Sequence, residues 1–225
     1  MITAKNITFA YDESPERHVL DGVSFDLKKE SITALAGLSG CGKSTLCRVM
    51  TGIIPCCIDG ELTGELTMAG RDMIGRSPAE LGQKIGFVMQ DPDMQIVAAT
   101  VEDELAFGPE NICLPPTEIR HRVDEVMELL GLSYMALTSP SKLSGGQKQL
   151  VAIGSVLTMD PEMLIMDEPF SHLDEDGKIM MKKTLIKLRS SGKTVLIVDH
   201  DYRSLDFADR IMWMEEGKIS EHKDR

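Results

Sequence analysis

The chain has 225 residues, 42% of them hydrophobic, enough for one large domain with a sizeable core and too many for global disorder. A formal net charge of −12 disfavours nucleic acid as a partner, since such a surface is normally basic. No apolar run approaches the roughly 18 residues of a membrane span, and the N-terminal "MITAKNITFAYDE" lacks the basic-then-apolar order of a signal peptide.

In chain order, "ITAKNITF", "VSFDL" and "ELTMAG" carry period-2 patterning with turn residues between them, and predict antiparallel strands. "ITALA" (32–36) predicts a buried strand, with a helix over Ser44 to Gly52 directly after it. "KIGFVM" (84–89), "EMLIM" (162–166) and "TVLIV" (194–198) predict further strands, so the core alternates strand and helix as an α/β sheet. Between Gln90 and Leu143 the texture changes. Ile119, Val123, Val126, Met127 and Leu130 recur at helical spacing after a Pro-Pro and before Gly131, which predicts a helix over 117–132. The expected organisation is one domain, 1–225, with a core of about 1–90 and 156–225 and a mostly helical insert of about 91–155. "EEGKI" (215–219) predicts a terminal hairpin turn. The five cysteines lack the Cys-x2-Cys spacing of a zinc site and are expected as reduced thiols.

The chemistry concentrates in two stretches. "GLSGCGKST" (37–45) sits between the predicted strand and helix, and Gly37-x4-Gly42-Lys43-Ser44 is the phosphate-loop pattern. Gly37, Gly40 and Gly42 let the backbone N–H groups of Leu38, Ser39, Cys41 and Thr45 turn toward a phosphate, with the helix start adding its positive end. Lys43 reaches the β- and γ-phosphates and the Ser44 hydroxyl binds Mg2+, so the expected ligand is ATP or GTP. Cys41 is either a passive small side chain or a reactive thiol at a helix start.

"MLIMDEP" (163–169) delivers two acids to a strand end, where α/β sheets hold ligands. Asp167 is expected to hold Mg2+, and Glu168 to polarise the water attacking the γ-phosphorus. His200 follows another buried strand in the same way and is a candidate γ-phosphate contact. The histidines at 18, 121, 172 and 222 are read as surface residues.

"LSGGQ" (143–147) admits two readings on its own, a serine-capped helix start or an anion-binding one. With the other motifs in this order, the chain resembles the ATP-binding-cassette ATPases over essentially its whole length. The resemblance implies a P-loop NTPase fold with a mixed sheet, N-terminal antiparallel strands and a helical subdomain. It implies ATP hydrolysis with Mg2+, and head-to-tail pairing with a second cassette, identical or different. Ser144, Gly145, Gly146 and Gln147 would then close over the partner's nucleotide, joined by Asp174 of "SHLD" (171–174). Tyr11 in "FAYDE" matches the aromatic that stacks on adenine, and Gln90 the strand-end glutamine that senses Mg2+ and moves the helical insert.

Gln90-Asp-Pro-Asp-x-Gln95 followed by "VEDELAFGPEN" is more narrowly similar to the energy-coupling-factor ATPases, which drive uptake of vitamins and of nickel or cobalt ions. That implies an integral membrane partner gripped by the helical insert, and a place on the cytoplasmic face of a prokaryotic membrane. The alternatives are the cassette of an ordinary importer or lipid exporter, and a soluble iron–sulfur assembly ATPase. Asp199, where the family more often has threonine or serine, and His172 depart from the pattern. The chain end at Arg225 fits a short subunit or one half of a tandem protein.

Overall fold

The computed structural model describes residues 1–171 and 173–221. His172 and His222 therefore lie outside the described residues. Two sheets organise the chain. The first is antiparallel, in the order β2-β1-β4-β5, from β1 (Ile2–Tyr11), β2 (His18–Leu27), β4 (Gly60–Met68) and β5 (Arg71–Asp72). Alternation explains it, with Ile2 and Ala4 of β1 buried before a register shift and Ile7 and Phe9 buried after it. β2 begins five residues before "VSFDL", because its ladder with β1 extends to the pair Ala10–His18. β4 runs from Gly60 rather than Glu65, because Ala10 and Tyr11 pair with Glu61 and Gly60; its first half is largely exposed, which weakens the hydrophobic alternation there.

The second sheet runs β10-β9-β3-β8-β7-β6. Its parallel strands are β3 (Ile32–Ala36), β6 (Ile85–Val88), β7 (Met163–Asp167), β8 (Thr194–Asp199) and β9 (Arg210–Glu215), and β10 (Lys218–Glu221) pairs antiparallel with β9. Every residue of β3 and β8 is buried, as expected for strands covered on both faces. One face carries Leu35, Leu196, Val198 and Met163 and packs on helix α1 (Lys43–Met50) and the antiparallel sheet. The other carries Ala34, Ile197, Leu164 and Met166. It packs on the helices between β6 and β7, namely α4 (Val101–Asn111), α5 (Pro116–Leu130) and α6 (Gly145–Leu157), and on α7 (Glu175–Ser190). Short helices α2 (Ile53–Cys56) and α3 (Pro78–Gly82) lie between the two sheets in sequence.

Local chemistry explains the boundaries. Thr100 caps α4 by accepting from the Asp103 N–H, with three acids in the first turn against the helix dipole. α5 ends at Gly131, whose φ of 70° is the left-handed stop that glycine takes at least cost. The β9–β10 turn puts Glu216 and Gly217 at φ 46° and 75°, the positive pair a two-residue hairpin requires. Because β3, β8, β7 and β6 are adjacent and parallel, the segments leaving their C-terminal ends emerge along one edge of the sheet.

Candidate functional site

Four consecutive strand ends supply the site. From β3 the chain enters the loop 37–42 and then α1, with Lys43 as the first helical residue. The loop packs so closely that a Cβ on Gly37 would come within 2.2 Å of the Met214 carbonyl oxygen. Gly42 has φ 111°, and a Cβ there would meet the Val19 carbonyl oxygen at 2.7 Å. Both glycines are obligatory for this backbone. The Lys43 side chain is buried against its own loop and donates to the carbonyl oxygens of Gly37 and Leu38 at 2.8 Å each. Its Nζ also lies 3.9 Å from Cys41 Sγ.

From β7 come Asp167, its last residue, and Glu168 just beyond. Burial raises the Asp167 carboxyl above the usual aspartate range, while a hydrogen bond with the Ser44 side chain opposes the shift and the nearby Glu168 charge adds to it. Glu168 has φ 47°, an unfavourable conformation for a residue with a side chain, and it donates its N–H to the Val198 carbonyl at 2.7 Å. That bend turns the glutamate away from the strand.

Both oxygens of the Glu168 carboxylate are engaged by neighbouring strand ends. Gln90, two residues past β6, donates Nε2–H to Oε2 at 2.9 Å. His200, one residue past β8, brings Nδ1 within 3.3 Å of Oε1. Asp199 lies behind the histidine with its Oδ1 3.6 Å from the same nitrogen. Its side chain is buried, Oδ1 accepts from the Asp201 N–H, and Oδ2 has no hydrogen-bond partner among the described residues. Burial accordingly raises the Asp199 carboxyl, with Glu168 adding to the shift and Asp201 and His200 opposing it.

A small cavity of about 140 Å³ joins the phosphate loop to Glu168, lined by Val19, Ser39, Gly40, Gly42, Lys43, Ser44 and Thr45 on one side and by the glutamate on the other; Gln90, Asp167 and His200 do not line it. Tyr11 does not line it. Its ring stands edge-on to Phe9 at 4.8 Å, and its hydroxyl pairs with Thr45 Oγ1 at 3.0 Å. Nor do Ser144, Gly145, Gly146, Gln147 or Asp174 line it. Ser144 caps α6 in a reciprocal capping box with Gln147, and Asp174 caps α7 by accepting from the Gly177 N–H at 2.8 Å.

Four polar residues that touch the motif residues or the segments beside them received no role from the motif reading. Tyr134 accepts from Gln147 Nε2, Lys148 pairs with Asp93 at 2.6 Å, Glu104 is buried beneath the loop after Gln90, and Asp199 backs the histidine. Glu104 lies inside "VEDELAFGPEN" and Asp199 stands out as a departure from an expected residue type, but neither pattern indicates these contacts.

A phosphate loop entering a helix, faced across a small cavity by a strand-end glutamate, defines a P-loop ATPase. The chain belongs to the ABC transporter family, whose profile matches residues 20–171, and as a member it binds and hydrolyses ATP. It is 37% identical over 220 residues to the energy-coupling factor transporter ATP-binding protein EcfA1 of Streptococcus agalactiae, covering 97% of this chain and 77% of that protein. It is 39% identical to the cobalt import ATP-binding protein CbiO of Syntrophus aciditrophicus, covering 97% and 76%. A putative ABC transporter ATP-binding protein of Methanosarcina mazei is 40% identical over 221 residues, but the chain spans only 38% of its length. Among solved structures, cbiO1 of Clostridium perfringens, described as part of the ABC transporter complex cbiONQ, superposes with a TM-score of 0.88 at 32% identity. That match covers 97% of this chain and 86% of the other.

Proposed function

We propose that this chain is the ATP-hydrolysing subunit of an energy-coupling-factor-type importer, working from the cytoplasmic face of a prokaryotic membrane. Its cargo class would be a vitamin or a nickel or cobalt ion. The observation that carries the ATPase half is the cavity between Lys43 and Glu168, with Gln90 and His200 on the two oxygens of the glutamate. The relatives named for energy coupling and cobalt import support the transport half.

The residues divide the work by charge. Lys43 and the loop N–H groups from Leu38 to Thr45 hold the phosphates. Glu168 accepts a hydrogen bond from the attacking water, orients it toward the γ-phosphorus and increases its nucleophilicity. His200 turns from Glu168 to the γ-phosphate, and Tyr11 offers its ring to the adenine. A divalent cation fits the Ser44–Asp167 pair, because Asp167 is a partly buried carboxylate raised by burial, with a hydroxyl already on it. Mg2+ held there, with Gln90 as a further ligand, would neutralise charge on the β- and γ-phosphates.

Residues 91–155 would form the helical unit that meets the membrane subunit. Met94, Val97 and Phe107 are large apolar side chains left exposed on it, 49–71% accessible, the kind of surface that takes an amphipathic partner helix. Ser144–Gln147 and Asp174 would serve the nucleotide of a second cassette. The test has two arms. Glu168→Gln should lower the hydrolysis rate by about 10²–10⁴-fold, the usual weight of a general base. Affinity purification from a detergent extract should bring down an integral membrane subunit and a second cassette. Wild-type turnover in the mutant would remove Glu168 from the chemistry, and association with soluble assembly scaffolds alone would favour the iron–sulfur reading.

A further inference from the structure

Gln95 closes the Gln90-Asp-Pro-Asp-x-Gln95 motif, and nothing in the catalytic reading uses it. Its amide touches both ends of a connection. Oε1 accepts the N–H of Met89, the residue before Gln90, at 3.0 Å. Nε2 donates to the Ala152 carbonyl at 3.0 Å and approaches Ser155 Oγ at 3.4 Å, both on α6. Neighbouring contacts fasten the same segment to the helices. Asp93 pairs with Lys148, one turn nearer the start of α6, at 2.6 Å. The buried Glu104 of α4 accepts the N–H groups of Val97 and Ala98 at 2.8 Å each.

We propose that Gln95 is a positioning residue that carries displacement of Gln90 into α6, and so to the Ser144–Gln147 end of that helix. The inference rests on the reading that ATP binding shifts Gln90. A glutamine suits this task because its planar amide has an acceptor and a donor at opposite ends, so one side chain bridges two backbones. Glutamate would set a second acceptor against the Ala152 carbonyl, and leucine would fill the space without either bond. The Asp93–Lys148 pair is too exposed at the aspartate to hold register alone, with 64% of that side chain accessible, and acts as a second tie. Helix α6 runs without a break from its capping box to Leu157, so a pull at Ala152 and Ser155 reaches Ser144 as a rigid translation.

Hydrogen exchange in a non-hydrolysing Glu168→Gln background, with Ser144→Arg added so that no second cassette can close over the helix start, tests this within one chain, with and without ATP and Mg2+. With Gln95 intact, peptides covering 85–95 and 143–157 should both change protection on nucleotide addition. In Gln95→Leu the first should still respond, while the second falls by about fivefold, the factor that one lost hydrogen bond of about 1 kcal/mol commands. Should Gln95→Leu not fold, the surface pair Asp93→Asn with Lys148→Gln should show a smaller loss of the same kind. An unchanged 143–157 response in variants that bind ATP would overturn the inference, as would a parallel loss of ATP affinity and melting temperature, which marks a merely structural residue. Failure of the parent protein to bind ATP would instead strike the functional reading on which the inference rests.

Discussion

Lys43 directs its ammonium at two carbonyl oxygens of its own loop, so the charge is positioned beside Ser39 and Gly40 with little freedom to stray. Replacing it by alanine removes a charge-assisted interaction of about 1.5–3 kcal/mol, so nucleotide affinity should fall about 10- to 100-fold. Hydrolysis should be lost altogether. Titration with a fluorescent nucleotide and a phosphate-release assay read the two effects separately. Asp199 makes a different kind of prediction. Its buried carboxyl is raised above its ordinary value of 3.8, so the unfolded chain gives up that proton at lower pH than the folded one. Folding then favours the protonated acid, and its stabilising contribution is lost as pH rises from 3.8 toward the raised value. Asp199→Asn should remove that loss. Denaturant unfolding across this range should show the variant gaining on the wild type as pH rises; parallel curves would count against the argument.

At the scale of one element, α6 shows how a motif serves two purposes. Ser144 and Gln147 satisfy each other's backbone N–H groups at the helix start, whatever else those residues meet. Ser144→Ala should therefore cost about 1 kcal/mol of stability through the lost cap. Ser144→Arg should cost a similar amount and add a bulky side chain where the proposed opposite nucleotide would sit. Single-chain nucleotide affinity should survive both changes, because Ser144 does not line the cavity around Lys43. Only the arginine should abolish hydrolysis. Thermal melts separate the first effect, and binding compared with turnover separates the second; equal loss of affinity in Ser144→Arg and Lys43→Ala would argue against a site shared between chains.

For the whole molecule, the separation of the LSGGQ helix start from the cavity around Lys43 is the feature that pairing would complete. Glu168→Gln keeps Lys43, Ser44 and Asp167 for binding while removing the base, so ATP with Mg2+ should trap a stable dimer or a complex with a second cassette. ADP should not, since it lacks the phosphate that Ser144 and the two glycines would grasp. Light scattering on a sizing column, with each nucleotide in turn, reads the mass directly. A variant that is inactive yet monomeric with ATP would leave the chemistry standing and point to an obligatory different partner.

How much of this was legible beforehand follows from the range of the forces. The phosphate loop, the acidic strand end and the capped start of α6 are local, set by backbone geometry within a few residues, and "GLSGCGKST", "MLIMDEP" and "LSGGQ" carry them openly. The extent of β4 was less legible, because its first half faces solvent and its pairing with Ala10 and Tyr11 is a contact 50 residues away. The contacts on Glu168 come from Gln90 and His200, 78 and 32 residues distant, brought to it because β6, β7 and β8 are parallel neighbours. The hold of Gln95 on Ala152 spans 57 residues, and nothing in the motif that Gln95 closes points to that partner. Residue types and short spacings thus determined which chemistry the chain carries. Strand order and helix packing alone decided which of those groups meet, because those contacts depend on adjacency in space rather than along the chain.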